Sequence, residues 1–367
     1  MVINDRYVYP DYGGLDWEAV RDEYSEKVAN AASDEEFYDL MRELVGRLGD
    51  EHSSFATAEL VALEDVFYEN LEILGGIGVY LSEADGELVL VQAFPDGPAF
   101  EAGLLPGERI VAVDGVPGEQ FSSFAEVVLA ILGEVGTEMI LTVRSLDGAE
   151  REVPMTRAVI DLENALVQGN VIEGTKIGLL TLGGFDSPRV TELVRETLVE
   201  LATNVTLEGL IVDVRANPGG DIDTLLDTLA LFVDGGSIGS QAGRKEVYDL
   251  LIPEGEILPE LEGLPIVVLT GSHTASAGEC FAAGMQLHER ATIVGRPSAG
   301  NTEYSSWHEL SDGSVLSIAE WVYQLPDGTL IEGRGVQPDL LVELDWGLYG
   351  TANDPQIQAA IEVIESK

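Results

Sequence analysis

The sequence predicts a multidomain chain of mixed class, α/β with α+β parts: an N-terminal helical region, a small β-rich domain and a larger core of mixed sheet. Three observations predict it. Apolar residues recur at helix spacing up to about residue 69. Turn dipeptides punctuate short alternating strands between residues 73 and 157. Beyond about residue 175, nearly continuous apolar strands alternate with helical stretches. A length of 367 residues with 45% hydrophobic content is enough for such separate cores.

In the first region, DWEAVRDEYSEKV places Trp17, Val20, Tyr24 and Val28 on one helix face. SDEEFYDLMRELVGRL opens with Ser33 and Glu36 at the spacing of a capping box. LGDEHSSF interrupts before another helical run over residues 57–69. The second region carries Asp-Gly turns at 85–86, 96–97, 114–115 and 147–148 and one helix over 122–132, which reads as a domain inserted before the core. In the third, KIGLLTL leads to a helix over 187–202, LEGLIVDV to one over 221–232, and LPIVVLT to one over 275–288, before the strand ATIVG. Apolar strands of this kind are covered on both faces. The tail reads as antiparallel hairpins turned at Asp327–Gly328 and a closing helix near 353–365. The expected domains are residues 1–72, 73–157 and 158–367.

Composition narrows the function. With 66 acidic and 19 basic residues the formal charge is −47, which opposes nucleic-acid backbones and anionic membranes as partners. One cysteine, Cys280, excludes an intrachain disulfide framework. No apolar stretch approaches the 18 or more residues of a membrane-spanning helix, and MVINDRYVYPDYGG lacks the order of a signal peptide. There is no HExxH, the histidines are scattered, and GGIGV lacks the dinucleotide spacing, so neither a metal nor an organic cofactor is expected. The oligomeric state is not legible.

Chemistry concentrates in LPIVVLTGSHTASAGECFAAGMQLHE, a strand, a small polar turn and a helix. Ser276 then lies in the first helical turn, where unpaired N–H groups and the helix dipole favour developing negative charge. Ala275, Ala277 and Gly278 leave room for an acyl group, and the following N–H supplies half an oxyanion hole; the same pattern also suits a cap or packing residue. In VDVRANPGGDIDTLL, Gly219 or Gly220 can supply the other donor, since loops at the carboxyl ends of neighbouring parallel strands converge. The base is open among the histidines. His288 is roughly 18 Å along the helix from Ser276, His273 is tied by a short link, His308 lies in a strand-like segment, and His52 stands in a loop between helices. Cys280, one turn beyond Ser276, reads as buried packing.

LGDEHSSF, GGIGV, GPAFEAGLLPGERIVAVDG, VRANPGG, TASAGE, VGRPSAGN and GRGVQPD follow one another in an order that resembles the C-terminal processing, or tail-specific, serine peptidases, a family that includes the tricorn core. The resemblance implies a PDZ-like peptide-binding domain over 73–157 and a serine peptidase core of ClpP/crotonase-like type. It implies Ser276 as nucleophile, the N–H groups of Gly220 and Ala277 as oxyanion donors, and Gly76, Ile77, Gly78 and Val79 as a loop that holds a peptide carboxylate. Members with a serine–lysine dyad carry lysine where this chain has Asn301, which has no titratable amine. The tricorn-like branch implies His52 as base and Glu332 as its supporting acid; Ser53 follows His52, whereas that pattern resembles serine before histidine, where Glu51 stands. The implied function is endopeptidase hydrolysis of unstructured or C-terminal segments of a peptide or unfolded protein, in the cell envelope or outside the cell. The alternative is a non-catalytic peptide or hydrophobic-ligand binder on the same fold, as the vertebrate retinoid-binding proteins of the eye resemble this core.

Overall fold

The computed structural model describes residues 2–50, 52–62, 74–84, 87–94, 97–121, 124–161 and 165–367. Its N-terminal region holds α1 (Val2–Arg6), α2 (Trp17–Ala29) and α3 (Asp34–Gly46). The predicted cap is present: the Glu36 N–H donates to Ser33 Oγ at 3.2 Å, and the Glu36 carboxylate accepts from the Ala32 N–H at 2.7 Å. Trp17, Val20 and Tyr24 turn inward and pack in one cluster with Val45. The interruption after α3 contains an unpredicted strand, β1 (Ser54–Ala56). Residues 58–62 are helical, and the rest of the expected 57–69 run beyond 62 lies outside the described residues.

The second region forms an antiparallel sheet from β2 (Val79–Ala84), β3 (Glu87–Ala93), β4 (Arg109–Val113), β5 (Glu138–Arg144) and β6 (Glu150–Thr156), in the order β2-β3-β4-β5-β6. Helices α4 (Pro98–Glu101) and α5 (Phe124–Ile131) accompany it. Ile77, Leu90, Met139, Leu141 and Val143 form its own core. β2 is an edge, so one side of it is open to another extended chain.

The core is built on β7 (Val167–Val171), β8 (Ile177–Leu182), β9 (Gly209–Asp213), β12 (Ile266–Thr270), β13 (Thr292–Gly295) and β16 (Leu340–Leu341). Their order is β7-β8-β9-β12-β13-β16, with β7 antiparallel and the others parallel. Three crossover helices, α6 (Val190–Asn204), α7 (Ile222–Ala230) and α8 (Ala277–Leu287), cover one face through Leu198, Leu225 and Phe281. The closing helix α9 (Pro355–Glu365) covers the other, where Ile357, Ala360 and Ile364 meet Ile211, Val267 and Val294. Alternate residues of each central strand thus serve opposite layers, the reason these strands read as continuous apolar runs.

A second sheet departs from the sequence expectation. It contains β10 (Gly236–Gly243), β11 (Val247–Ile252), β14 (Glu303–Glu309) and β15 (Val315–Gln324), with β1 added to β15. The long hairpin of the tail is β14–β15, reversed where the Leu310 N–H donates to the Ser314 carbonyl at 2.8 Å. The chain also reverses at Asp327–Gly328, as expected, where the Leu325 N–H donates to the Thr329 carbonyl at 2.9 Å and Gln324 bridges Leu330. The longer ladder of β15 is made with EYSSWHE, rich in aromatic and hydroxyl residues. Most consequential is β1, whose Ser54, Phe55 and Ala56 lie opposite Ser317, Leu316 and Val315. That pairing delivers the loop before it to the core.

Candidate active site

Ser276 caps α8 at the end of the turn from β12, with φ 51° and ψ −122°. A non-glycine residue held at such angles stores of the order of 1–3 kcal/mol and persists only where its surroundings over-determine it. Here the Ser276 N–H donates to the Asn301 carbonyl at 2.8 Å and to the Glu279 carboxylate at 3.2 Å. The preceding Ala275 N–H donates to the Asn217 carbonyl at 2.9 Å.

Glu279 is fully buried behind this turn, one helical turn into α8. Its Oε1 accepts from the Ser298 hydroxyl at 2.6 Å and the Gly300 N–H at 2.7 Å, and Oε2 accepts from the Asn301 N–H at 2.8 Å. Burial pushes its carboxyl above the ordinary range, while the donors around it act in the opposite direction. One carboxylate therefore ties the serine to the loop after β13. Sequence reasoning assigned Glu279 no role, although its spacing from Ser276 is that of a capping box.

The Pro218–Gly220 turn after β9 closes against the serine. A Cβ on Gly219 would lie 2.6 Å from Ser276 Cβ and 3.0 Å from its Oγ, and the residue sits at φ 117°, so only glycine fits. The Gly219 N–H donates to Asn217 Oδ1 at 2.9 Å, and Asn217 Nδ2 donates to the Leu182 carbonyl at 3.0 Å. Gly219 is thereby removed as an anion donor. The N–H groups of Gly220 and Ala277 have no acceptor among the described residues, and both flank the serine turn.

His52 is half-buried and arrives from the other end of the chain. Asp50 Oδ1 accepts from the N–H groups of His52 and Ser53 at 3.0 and 2.5 Å, and Ser53 Oγ accepts from the Ala319 N–H at 3.1 Å. The imidazole Nε2 contacts Asn301 Oδ1. Asn301 thus touches His52 with its side chain and Ser276 with its backbone. Among the described residues no hydrogen bond joins Ser276 Oγ to His52.

No hydrogen bond joins Glu332 to His52 among the described residues. Glu332 Oε2 accepts from the Thr302 N–H at 2.6 Å and the Thr302 hydroxyl at 2.8 Å. It buttresses the residue after Asn301 instead. The Ser53 hydroxyl is engaged with Ala319, and Glu51 lies outside the described residues. Two unpredicted phenols complete the surroundings: Tyr7 faces Asp50 and Tyr9 faces Glu303, and burial first, then these carboxylates, push both upward.

The remaining candidates are placed elsewhere. His308 Nε2 pairs with the buried Glu320 at 2.7 Å, and His288 Nε2 with the Ser237 carbonyl at 3.2 Å. His273 packs its ring on Trp346, and burial lowers its proton affinity. Cys280 is buried in the core and burial pushes its thiol up, as expected of packing.

In the carboxylate-binding stretch, Gly76 exchanges two hydrogen bonds with Ala158, at 2.8 and 2.9 Å, so its N–H is not free for a ligand. Ile77 turns its side chain into the domain core, and Val79 opens β2 opposite Ala93. The N–H groups of Ile77 and Gly78 have no acceptor among the described residues. No helix among the described residues is long and apolar enough to cross a membrane, and none of their side chains form a metal-binding group.

Comparison with known proteins identifies the family. A model of peptidase family S41 matches residues 176–342, one of the tricorn protease C1 domain matches 2–46, and one of the PDZ domain matches 91–145. The chain is 30% identical over 301 residues to a carboxy-terminal-processing protease of Bartonella bacilliformis, covering 80% of this chain and 67% of that one. It is 27% identical, over an alignment of 376 residues, to a carboxyl-terminal-processing protease of Synechocystis sp., covering 99% and 84%. Among solved structures, a photosystem II D1 C-terminal processing protease superposes with a TM-score of 0.74 at 24% identity, covering 95% of this chain and 93% of that one, a likeness of fold.

Proposed function

From the premise that this chain belongs to peptidase family S41, the C-terminal processing serine peptidases, we propose that it is an endopeptidase cleaving unstructured or C-terminal protein segments through an acyl-enzyme on Ser276. His52 is the general base. The observation that carries this reading is the double engagement of Asn301, which holds His52 by its side chain and the nucleophile's backbone by its carbonyl. Where a serine–lysine enzyme has its base, this chain has an acceptor that positions an imidazole.

Ser276 Oγ attacks the scissile carbonyl carbon as His52 takes its proton. The N–H groups of Gly220 and Ala277 then donate to the oxyanion. His52 returns the proton to the leaving amine, and water repeats the sequence to free the acyl product. Because Nε2 rests on Asn301, the ring gives up that contact as substrate enters. Glu332 acts one step away, by holding Thr302 and with it the Asn301 loop. Ile77, Gly78 and the open edge of β2 receive a peptide tail by strand addition. The core is of ClpP/crotonase-like type, the domain limits are 1–72, 73–157 and 158–367, and the kinship supports a site of action in the cell envelope or outside the cell.

A second reading, a silent binder of peptides or apolar ligands, is favoured by the lack of a hydrogen bond between Ser276 Oγ and His52. Hydrolysis of a library of unstructured peptides, followed by mass spectrometry for wild type, Ser276→Ala and His52→Ala, separates the two. Cleavage lost in both variants supports the peptidase. Wild-type silence with retained peptide binding supports the binder, and loss in Ser276→Ala alone removes His52 as base.

A further inference from the structure

The serine turn and the NPGG turn are both reached from the PDZ domain through one short stretch, Asp345–Gly350, which lies between β16 and α9 and carries no part of the chemistry above. Its centre is the half-buried Trp346. On the side of the PDZ domain, a Cβ on Gly107 would lie 2.9 Å from Trp346 Cβ and 3.0 Å from Leu146 Cδ2, and one on Gly347 would lie 3.0 Å from Leu146 Cδ1. The PDZ domain therefore bears on this stretch in close contact at two points. Gly107 must be glycine both for that approach and for its φ of 85°.

On the side of the core, Trp346 touches two rings. One is His273, at 5.0 Å between centroids, three residues before the nucleophile in the same turn. The other is Tyr349, at 5.3 Å, whose face carries the Arg215 guanidinium at 4.5 Å. Arg215 is fully buried. It donates to both oxygens of Asp213 at 2.9 and 2.6 Å, to Asp354 at 2.8 Å and to Gln356 at 2.9 Å. Asp354 also accepts from the Gly350 N–H at 3.0 Å, which closes the stretch back onto the arginine. Two residues after Arg215 comes Asn217, whose carboxamide holds Gly219 and whose carbonyl holds Ala275.

Four of the five N–H donors of this buried arginine are engaged, and it is clamped between two carboxylates and an aromatic face, which holds it in place. Tyr349 is thus linked through Arg215 to the backbone at 215–217, and His273 belongs to the backbone at 273–276. These are the two turns that present the Gly220 and Ala277 N–H groups.

We propose that Trp346 is a positioning residue for hydrolysis, the contact through which the PDZ domain sets the spacing of the two oxyanion donors. It acts through His273 on one turn and through Tyr349 and Arg215 on the other. The inference rests on the peptidase reading and adds the route by which a domain without catalytic groups governs the rate of the chemical step.

The test uses the full chain with Leu146→Asp, Trp346→Ala and Trp346→Phe. Leu146 is half-exposed at the β5–β6 turn, so its substitution leaves the PDZ core intact. Two readouts are taken: kcat and KM on a short peptide that lacks a tail for the PDZ domain, and hydrogen exchange of the amides at 216–220 and 274–277. Partial misplacement of oxyanion donors lowers kcat, so Leu146→Asp and Trp346→Ala are expected to lose about tenfold in kcat with KM within about twofold. Exchange at both turns should quicken, and Trp346→Phe, which keeps a ring in place, should recover most of the rate. Unchanged kcat and unchanged exchange in Leu146→Asp overturn the inference. So does a loss that tracks the melting temperature and is not relieved by Trp346→Phe, which makes the residue merely structural. If the wild type cleaves nothing, the peptidase reading fails separately, and exchange at the two turns still decides whether Trp346 couples them to the PDZ domain.

Discussion

The two halves of the proposed catalytic arrangement are built in opposite ways. The nucleophile half, with Ser276, Gly219, Gly220, Ala277 and Glu279, hangs from adjacent parallel strands of one sheet and is pinned by a strained serine, a fully buried carboxylate and a glycine in contact with the serine side chain. The base half consists of His52 on a loop that is held to β15 by the three residue pairs of β1 and by the Ser53 hydroxyl on Ala319, and its imidazole bonds Asn301. The first half is fixed within one sheet, whereas the second is held by packing of the N-terminal region on β15, where Tyr7, Val8 and Phe55 share a buried cluster with Leu316 and Ile318.

That difference predicts separable effects of substitution. Gly219→Ala places a Cβ 2.6 Å from Ser276 Cβ, and it is expected to lower kcat by about two to three orders of magnitude while destabilising the core by about 2–3 kcal/mol. His52→Ala should cost a comparable two to four orders of magnitude in rate, with stability changed by no more than about 0.5 kcal/mol. Urea titration beside single-turnover kinetics checks both, and equal destabilisation by the two would erase the distinction. Phe55→Asp goes further, because Phe55 is buried where β1 meets β15. It should remove activity by about two orders of magnitude and expose the N-terminal region to limited proteolysis, while fragments from the core remain resistant.

Glu279→Gln probes the nucleophile half more gently. A carboxamide offers one acceptor oxygen where the carboxylate offers two, each holding two donors, so two donors are left unpaired, at a cost of about 1–3 kcal/mol each and about tenfold or more in kcat. Its pH dependence has a definite sign. Burial raises the folded-state pKa of Glu279, so its contribution to stability is greatest below the ordinary glutamate range and is lost as pH rises through the raised value. Glutamine lacks that slope, and unfolding curves taken upward from the ordinary glutamate range should therefore show a shallower pH dependence for the variant. Asn301→Asp makes the smallest change and sharpens the base half. A carboxylate beside His52 favours the imidazolium, so the acid limb of the kcat/KM profile should move to higher pH by about one unit. An unmoved limb would mean that His52 is not the titrating base.

Much of the nucleophile half was legible because its signals are local. An apolar strand, a turn of small residues and a helix specify within about 25 residues where Ser276 stands, and two glycines after an apolar strand specify a turn that exposes its backbone. Other elements were not legible. β1 is three residues long, below what periodicity can register, and the β10–β11 hairpin has glycines and serines where an alternating apolar pattern would be read. Gly76 looked free for a ligand, and only the fold revealed Ala158 opposite it.

The sequence by itself determined the three-part organisation, the serine at its helix terminus, the glycine turn beside it and the absence of a lysine at position 301. These follow from residue type and short-range spacing, which act before the chain has a shape. The tertiary structure alone decided that His52 rests on Asn301, that Glu332 serves Thr302, that Gly220 keeps its donor while Gly219 does not, and that Trp346 lies between the PDZ domain and the oxyanion turns. Each of those choices is a competition among donors, acceptors and surfaces far apart in the chain, and it is settled only when the packed layers bring them within reach.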